Sequence, residues 1–261
     1  VSAAPAADRR PGLGVLAFAL LFPTAMAYLY FVAAPRPEPA PPVAGAPVAE
    51  PAVNHTAQAL YSAGKLVQFG LPVAYFLRAD PRRLRPGKPS FAGLGLGLAF
   101  GLLTVAGMLG LYFALLYRSG LVAAAAVKVR DKVEEFGIRS PAAYVALAVF
   151  LSGGHSFLEE YYWRWFVHAG LRRHLPGGWA VLVSSLGFMG HHVVILAAYL
   201  PGRFWSAAVP LSLCIAAGGA VWAWLYDRTR SVYAPWVSHL LVDAGIMVMG
   251  YDLMFVRAGS A

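Results

Sequence analysis

Apolar residues in this chain come in long blocks separated by short polar or basic segments. Seven runs, near 13–34, 57–77, 91–117, 142–166, 179–200, 205–226 and 232–254, approach the roughly 20 residues that a helix needs to cross a hydrocarbon core of about 30 Å. The third is long enough to hold a kink or a short extra helix. The pattern predicts an all-α, polytopic transmembrane helical bundle with about seven to eight spans. The first run follows Arg9 and Arg10 as a signal sequence would, yet it is of span length, so residues 1–34 read as a retained N-terminal transmembrane helix. The chain begins with Val1, which leaves the native start open.

Between the first two runs lies APRPEPAPPVAGAPVAEPAV, a Pro/Ala-rich linker over 35–56 whose composition favours an extended tether over a regular helix. Residues 57–261 then form the main bundle. The segment LVAAAAVKVRDKVEEFGI, 121–138, mixes charges with alanine and predicts an amphipathic helix at a membrane surface.

Composition agrees with a membrane protein. Of 261 residues, 59% are hydrophobic and only 13% charged, and the mean hydropathy is +0.60, too little polar surface to coat a soluble globule. The net charge of +9 raises the question of nucleic acid, but the basic residues gather in short segments between spans. That is the positive-inside pattern, so no nucleic-acid partner is expected. Arg78, Arg82, Arg83, Arg85 and Lys88 mark one loop as cytoplasmic, and alternate counting brings Arg9, Arg10, Arg172, Arg173, Arg228 and Arg230 to the same side. The single cysteine, Cys214, excludes an intrachain disulfide, a CxxC pair and a cysteine zinc site.

Candidate chemistry comes from ionisable residues inside the spans, where a charge costs at least about 2.5–3.5 kcal/mol on insertion scales. In SFLEEYYWRWF, Glu160 and Arg164 are four apart and predict an ion pair on one helix face, whereas Glu159 lies about 140° round the wheel from Arg164 and shares its face with His155. Phe188 and His192 repeat the four-residue spacing one span later, with His191 on a neighbouring face, and His239 and Asp243 repeat it on the last span. Such groups must face a bundle interior or a wet cavity. Any one of them can serve only to stitch helices with hydrogen bonds; three spans each carrying a cluster point to a site.

Glu159-Glu160-x-x-x-Arg164, Phe188-x-x-x-His192 and His239-x-x-x-Asp243, in that order, resemble the CPBP family of intramembrane proteases, over about 142–245. That family includes CAAX-box endoproteases and bacterial members linked to bacteriocin processing or self-immunity. The resemblance implies a membrane-embedded endopeptidase, acting on a membrane-associated peptide or membrane-protein substrate, in which Glu159 and His192 activate water and His239 and Asp243 serve the oxyanion. Glu160, Arg164 and Phe188 would be structural or substrate-positioning. Asp243 stands where the CAAX branch has asparagine, and an ionised aspartate cannot donate to an oxyanion; it would be protonated, or would orient His239. His155 matches no family motif.

The resemblance favours no metal; a zinc alternative would use Glu159, His192 and His239, although HExxH is absent. Two other readings stand beside the protease: a non-catalytic immunity or scaffolding membrane protein, and a proton relay or transporter to which Lys65 in the second span lends support. Lys65 could equally snorkel to the interface. The Ala, Gly, Pro and Arg content suggests a GC-rich bacterium and its inner membrane, with the site opening towards the cytoplasm. Oligomeric state and the identity of the substrate are not legible.

Overall fold

In the computed structural model, residues 11–34, 54–79, 92–117 and 119–256 are described. They form α1 (Leu13–Ala33), α2 (His55–Ala79), α3 (Leu94–Leu116), α4 (Gly120–Glu135), α5 (Pro141–Leu171), α6 (Gly177–Tyr199), α7 (Phe204–Thr229) and α8 (Tyr233–Val256), with no strand among the described residues. The protein is an all-α integral membrane bundle. All but α2 and α4 are long and apolar enough to span. Helix α2 has the length, but Gln58, Lys65 and Gln68 dilute its apolar face, which separates six such helices from the seven runs of the sequence. Most of the linker and the loop holding Arg82 to Lys88 lie outside the described residues, as do Arg9 and Arg10.

Local signals set the helix starts. The Asn54 side chain accepts the Ala57 N–H at 2.9 Å, Ser119 accepts from Val122 at 3.4 Å, and Ser140 accepts from Ala143 at 3.2 Å just before Pro141. The amphipathic segment becomes α4, tied to the end of α1 by Lys132, which donates to the Tyr30 hydroxyl and pairs with Glu135 at 2.7 Å.

Side-chain contacts fix helix direction. Phe69 meets Tyr162 and Phe76 meets Phe166 at ring separations of 6.3 and 6.0 Å, so α2 and α5 run the same way. His174 bonds to the Pro11 carbonyl at 3.2 Å, bringing the start of α1 beside the end of α5. There too, Asp227 of α7 lies 3.1 Å from His168 Nε2 and 3.4 Å from Arg172 Nε. Arg78, Arg172, Arg173, Arg228 and Arg230 therefore belong to one end of the bundle, as the loop charges predicted.

Lipid offers helices no hydrophobic reason to associate, so close packing and hydrogen bonds must hold them together. Glycines provide the approach. On α3, a Cβ at Gly97 would collide with the Ala234 carbonyl, and one at Gly101 would press on Ser238 and Leu241, all on α8. On α6, Gly187 and Gly190 admit Leu20 and Thr24 of α1. Helix α1 thus shares the main core: Leu16 and Ala19 are buried with Tyr162, Trp163, Phe166 and Phe188, and the Tyr162 hydroxyl donates to the Ala19 carbonyl at 2.8 Å.

Candidate active site

Helix α5 is central, buried on nearly every side from Glu159 to His168 except at Trp165. It is not a uniform α-helix. An α-helical stretch, Ser156–Glu160, is flanked by wider π-type turns at Phe150–His155 and Tyr161–His168. Wide turns of this kind are common at functional sites and shift the angular position of the residues beyond them. Because α5 is packed on nearly every side here, Glu159, Glu160 and Arg164 all point into protein, at 2%, 0% and 0% exposure.

Imidazoles from three helices approach the Glu159 carboxylate. His191 Nε2 of α6 lies 3.6 Å from Oε1, His239 Nε2 of α8 lies 3.7 Å from Oε2, and His155 Nε2 of α5 itself lies 3.9 Å from Oε1. These separations are ion-pair distances that exceed a direct hydrogen bond. His155 and Asp243 keep side-chain exposures of 25% and 21%, so the group reaches the protein surface on their side.

Glu160 has a different task. One oxygen accepts the His239 Nδ1–H at 2.9 Å, and the other lies 3.1 Å from Arg164 Nε. With Nδ1–H committed to Glu160, His239 turns Nε2 towards Glu159 and towards Asp243 Oδ1, 3.6 Å away. Aromatic faces close the remaining sides. Trp222 of α7 stacks on the His239 ring at 4.2 Å and 17° while donating to Ser238 Oγ at 3.0 Å. The Arg164 guanidinium lies 4.9 Å from the Phe188 ring centre and 5.3 Å from that of Trp222, a cation held by two π faces.

The structure gathers the residues singled out in the sequence into one locality and divides their work. Glu159, Glu160, Arg164, His239 and Asp243 interact directly. His192 is adjacent but turned: its Nδ1–H donates to the Phe188 carbonyl at 2.9 Å, its ring is 4.0 Å from that of His191, and its Nε2 is left as an acceptor. His191, not His192, contacts Glu159. The only hint of this in the sequence was that His191 is its neighbour. Trp222 carried no signal at all, since a tryptophan in an apolar run is ordinarily packing.

Among the described residues, no group of three or more His, Cys, Asp or Glu side chains is disposed to hold a metal ion.

A family model described as type II CAAX prenyl endopeptidase Rce1-like matches residues 141–245. This central segment is Rce1-like. The match covers less than half of the chain, beginning with α5 and ending within α8, and it contains every residue of the site described so far. The Rce1-like segment is that of a protease family and agrees with the CPBP resemblance. No curated protein and no solved structure matches the chain.

Proposed function

We propose that the protein is an intramembrane endopeptidase that hydrolyses a membrane-associated peptide with water activated at Glu159. The observation that carries this reading is a fully enclosed glutamate with imidazoles from three helices within 4 Å, inside the Rce1-like segment. Glu159 takes a proton from water as the oxygen attacks the scissile carbonyl carbon. His192, whose Nε2 is an acceptor, assists on the water. His239, oriented by Glu160, presents Nε2–H to the oxyanion, where a preset donor in a dry site is worth about 2.7–4 kcal/mol. The proton held at Glu159 then passes to the leaving nitrogen as the C–N bond breaks.

The bundle end bearing the basic residues would face the cytoplasm of a bacterial inner membrane. At about 1.5 Å per residue, His239 lies about 9 Å from the start of α8 and Glu159 about 18 Å from the end of α5. The test is cleavage of fluorogenic prenylated and unprenylated membrane-associated peptides by the purified protein in detergent, with Glu159→Gln alongside and a chelator arm for each. Cleavage that Glu159→Gln abolishes and chelation spares supports the reading. Cleavage that survives Glu159→Gln sinks it.

A further inference from the structure

Helix α7 supplies no ionisable group to the site, yet one of its residues lies flat against the chemistry. A Cβ at Gly219 would touch Phe188 and Ser185 of α6, so the bare glycine lets α7 lie close to that helix. Trp222, three residues on, shares the face of Gly219 and is carried into the bundle with it, to 4% exposure. Its indole N–H donates to the buried Ser238 hydroxyl at 3.0 Å, and Ser238 is the residue before His239. The rotation of the indole is thereby tied to α8, the helix that carries the imidazole it covers.

Filling space does not account for this arrangement. A side chain that only occupies volume needs no particular plane, whereas the indole and the His239 ring are close to parallel, 4.2 Å apart at 17°. Phe188, the other ring here, meets His239 edge-on at 5.9 Å and 90°. Nor does Glu160 alone orient the imidazole. Its bond at 2.9 Å holds the Nδ1 edge, and the tilt of the ring is left to what lies on its face. That tilt decides where Nε2 points, because Nε2 stands between Glu159 Oε2 at 3.7 Å and Asp243 Oδ1 at 3.6 Å, bonded to neither. The same indole lies 5.3 Å from the Arg164 guanidinium, so one aromatic plane bears on both cationic partners of Glu160.

We propose that Trp222 is a positioning residue for the reaction: its face fixes the plane of the His239 ring and so aims Nε2–H at the oxyanion. The proposal rests on the endopeptidase reading and adds to it a residue that acts through His239. The oxyanion exists only along the path through the transition state, so a mis-aimed donor lowers kcat and leaves substrate binding alone.

The first measurement is cleavage of the fluorogenic prenylated peptide by purified variants in detergent. Trp222→Leu keeps an apolar side chain without a plane, and since a misplacement of 1 Å costs about 10²-fold, kcat should fall about 30- to 100-fold with KM within about twofold. Trp222→Phe loses the N–H but keeps a flat face, and should return kcat to within about fivefold of the unmutated protein. A leucine variant within about threefold of the unmutated protein, a loss carried by KM, or a phenylalanine variant as slow as leucine overturns the proposal. The second measurement needs no Trp222 variant to fold. With labelled histidines in the unmutated protein, the ring current of the indole should shift a ring proton of His239 upfield, a signal assigned by its loss from His239→Gln; His239 protons at ordinary positions overturn the proposal. An upfield signal without cleavage by the unmutated protein would remove the enzymatic reading, and the proposed role with it, while leaving the stack. Cleavage that Trp222→Leu leaves at full rate would remove the role and leave the enzyme.

Discussion

Arg164 and Glu160 are completely enclosed, and their pairing sets the stability of the site. In Arg164→Met the aliphatic length is kept, Phe188 and Trp222 retain an apolar neighbour, and the Glu160 carboxylate is left with His239 as its remaining partner. Breaking a buried pair by removing one member costs about 3–5 kcal/mol, because the other charge stays desolvated. For a chain of this size each kcal/mol shifts the midpoint by about 2–4 °C, so the variant should melt about 6–20 °C below the unmutated protein. Adding Glu160→Gln to that background removes the stranded charge and keeps an acceptor for the His239 Nδ1–H, so about 2–3 kcal/mol of the loss should be recovered. Thermal unfolding in detergent, followed by tryptophan fluorescence, suits the question, since Trp163 and Trp222 pack against the site. A single variant within about 1 kcal/mol of the parent, or a double variant no more stable than the single, would refute the buried pair.

Two further outcomes rest on other contacts. Gly97→Ala places a Cβ against the Ala234 carbonyl, where backbone cannot yield, and should destabilise by about 1–3 kcal/mol in the same melt; Gly95→Ala on the same helix meets nothing within 4 Å and should not. Asp243→Asn keeps an acceptor for the Nε2–H of His239 and gains a donor, so peptide cleavage should stay within about tenfold of the parent, whereas Asp243→Leu should lose about 10²–10³. An asparagine variant as inactive as leucine would show that the carboxylate itself is required.

The fold class was legible because a bilayer permits few solutions. Apolar runs of about 20 residues can satisfy their backbone groups in lipid only as helices, and short basic loops report which ends lie together. Contacts at Pro11, His174, Arg172 and Asp227 bear out that grouping of ends. The pairing of Glu160 with Arg164 was legible for the same local reason, since residues four apart share a face. The separation of Glu159 from Arg164 was legible in the same way: the Glu159 carboxylate stands beside His155, four residues back, while Arg164 pairs with Glu160.

The sequence by itself determined that this chain is a membrane bundle and that Glu159, Glu160, Arg164, His192, His239 and Asp243 are its chemical candidates. Only the tertiary structure decided their partners across helices: that His191 stands beside Glu159, that Glu160 holds His239 by Nδ1, and that Trp222 stacks on that ring. Spacing along a helix reports which residues share a face. How one helix is rotated and raised against the next depends on glycine contacts such as Gly97 on Ala234, made between segments more than a hundred residues apart, which no local pattern records.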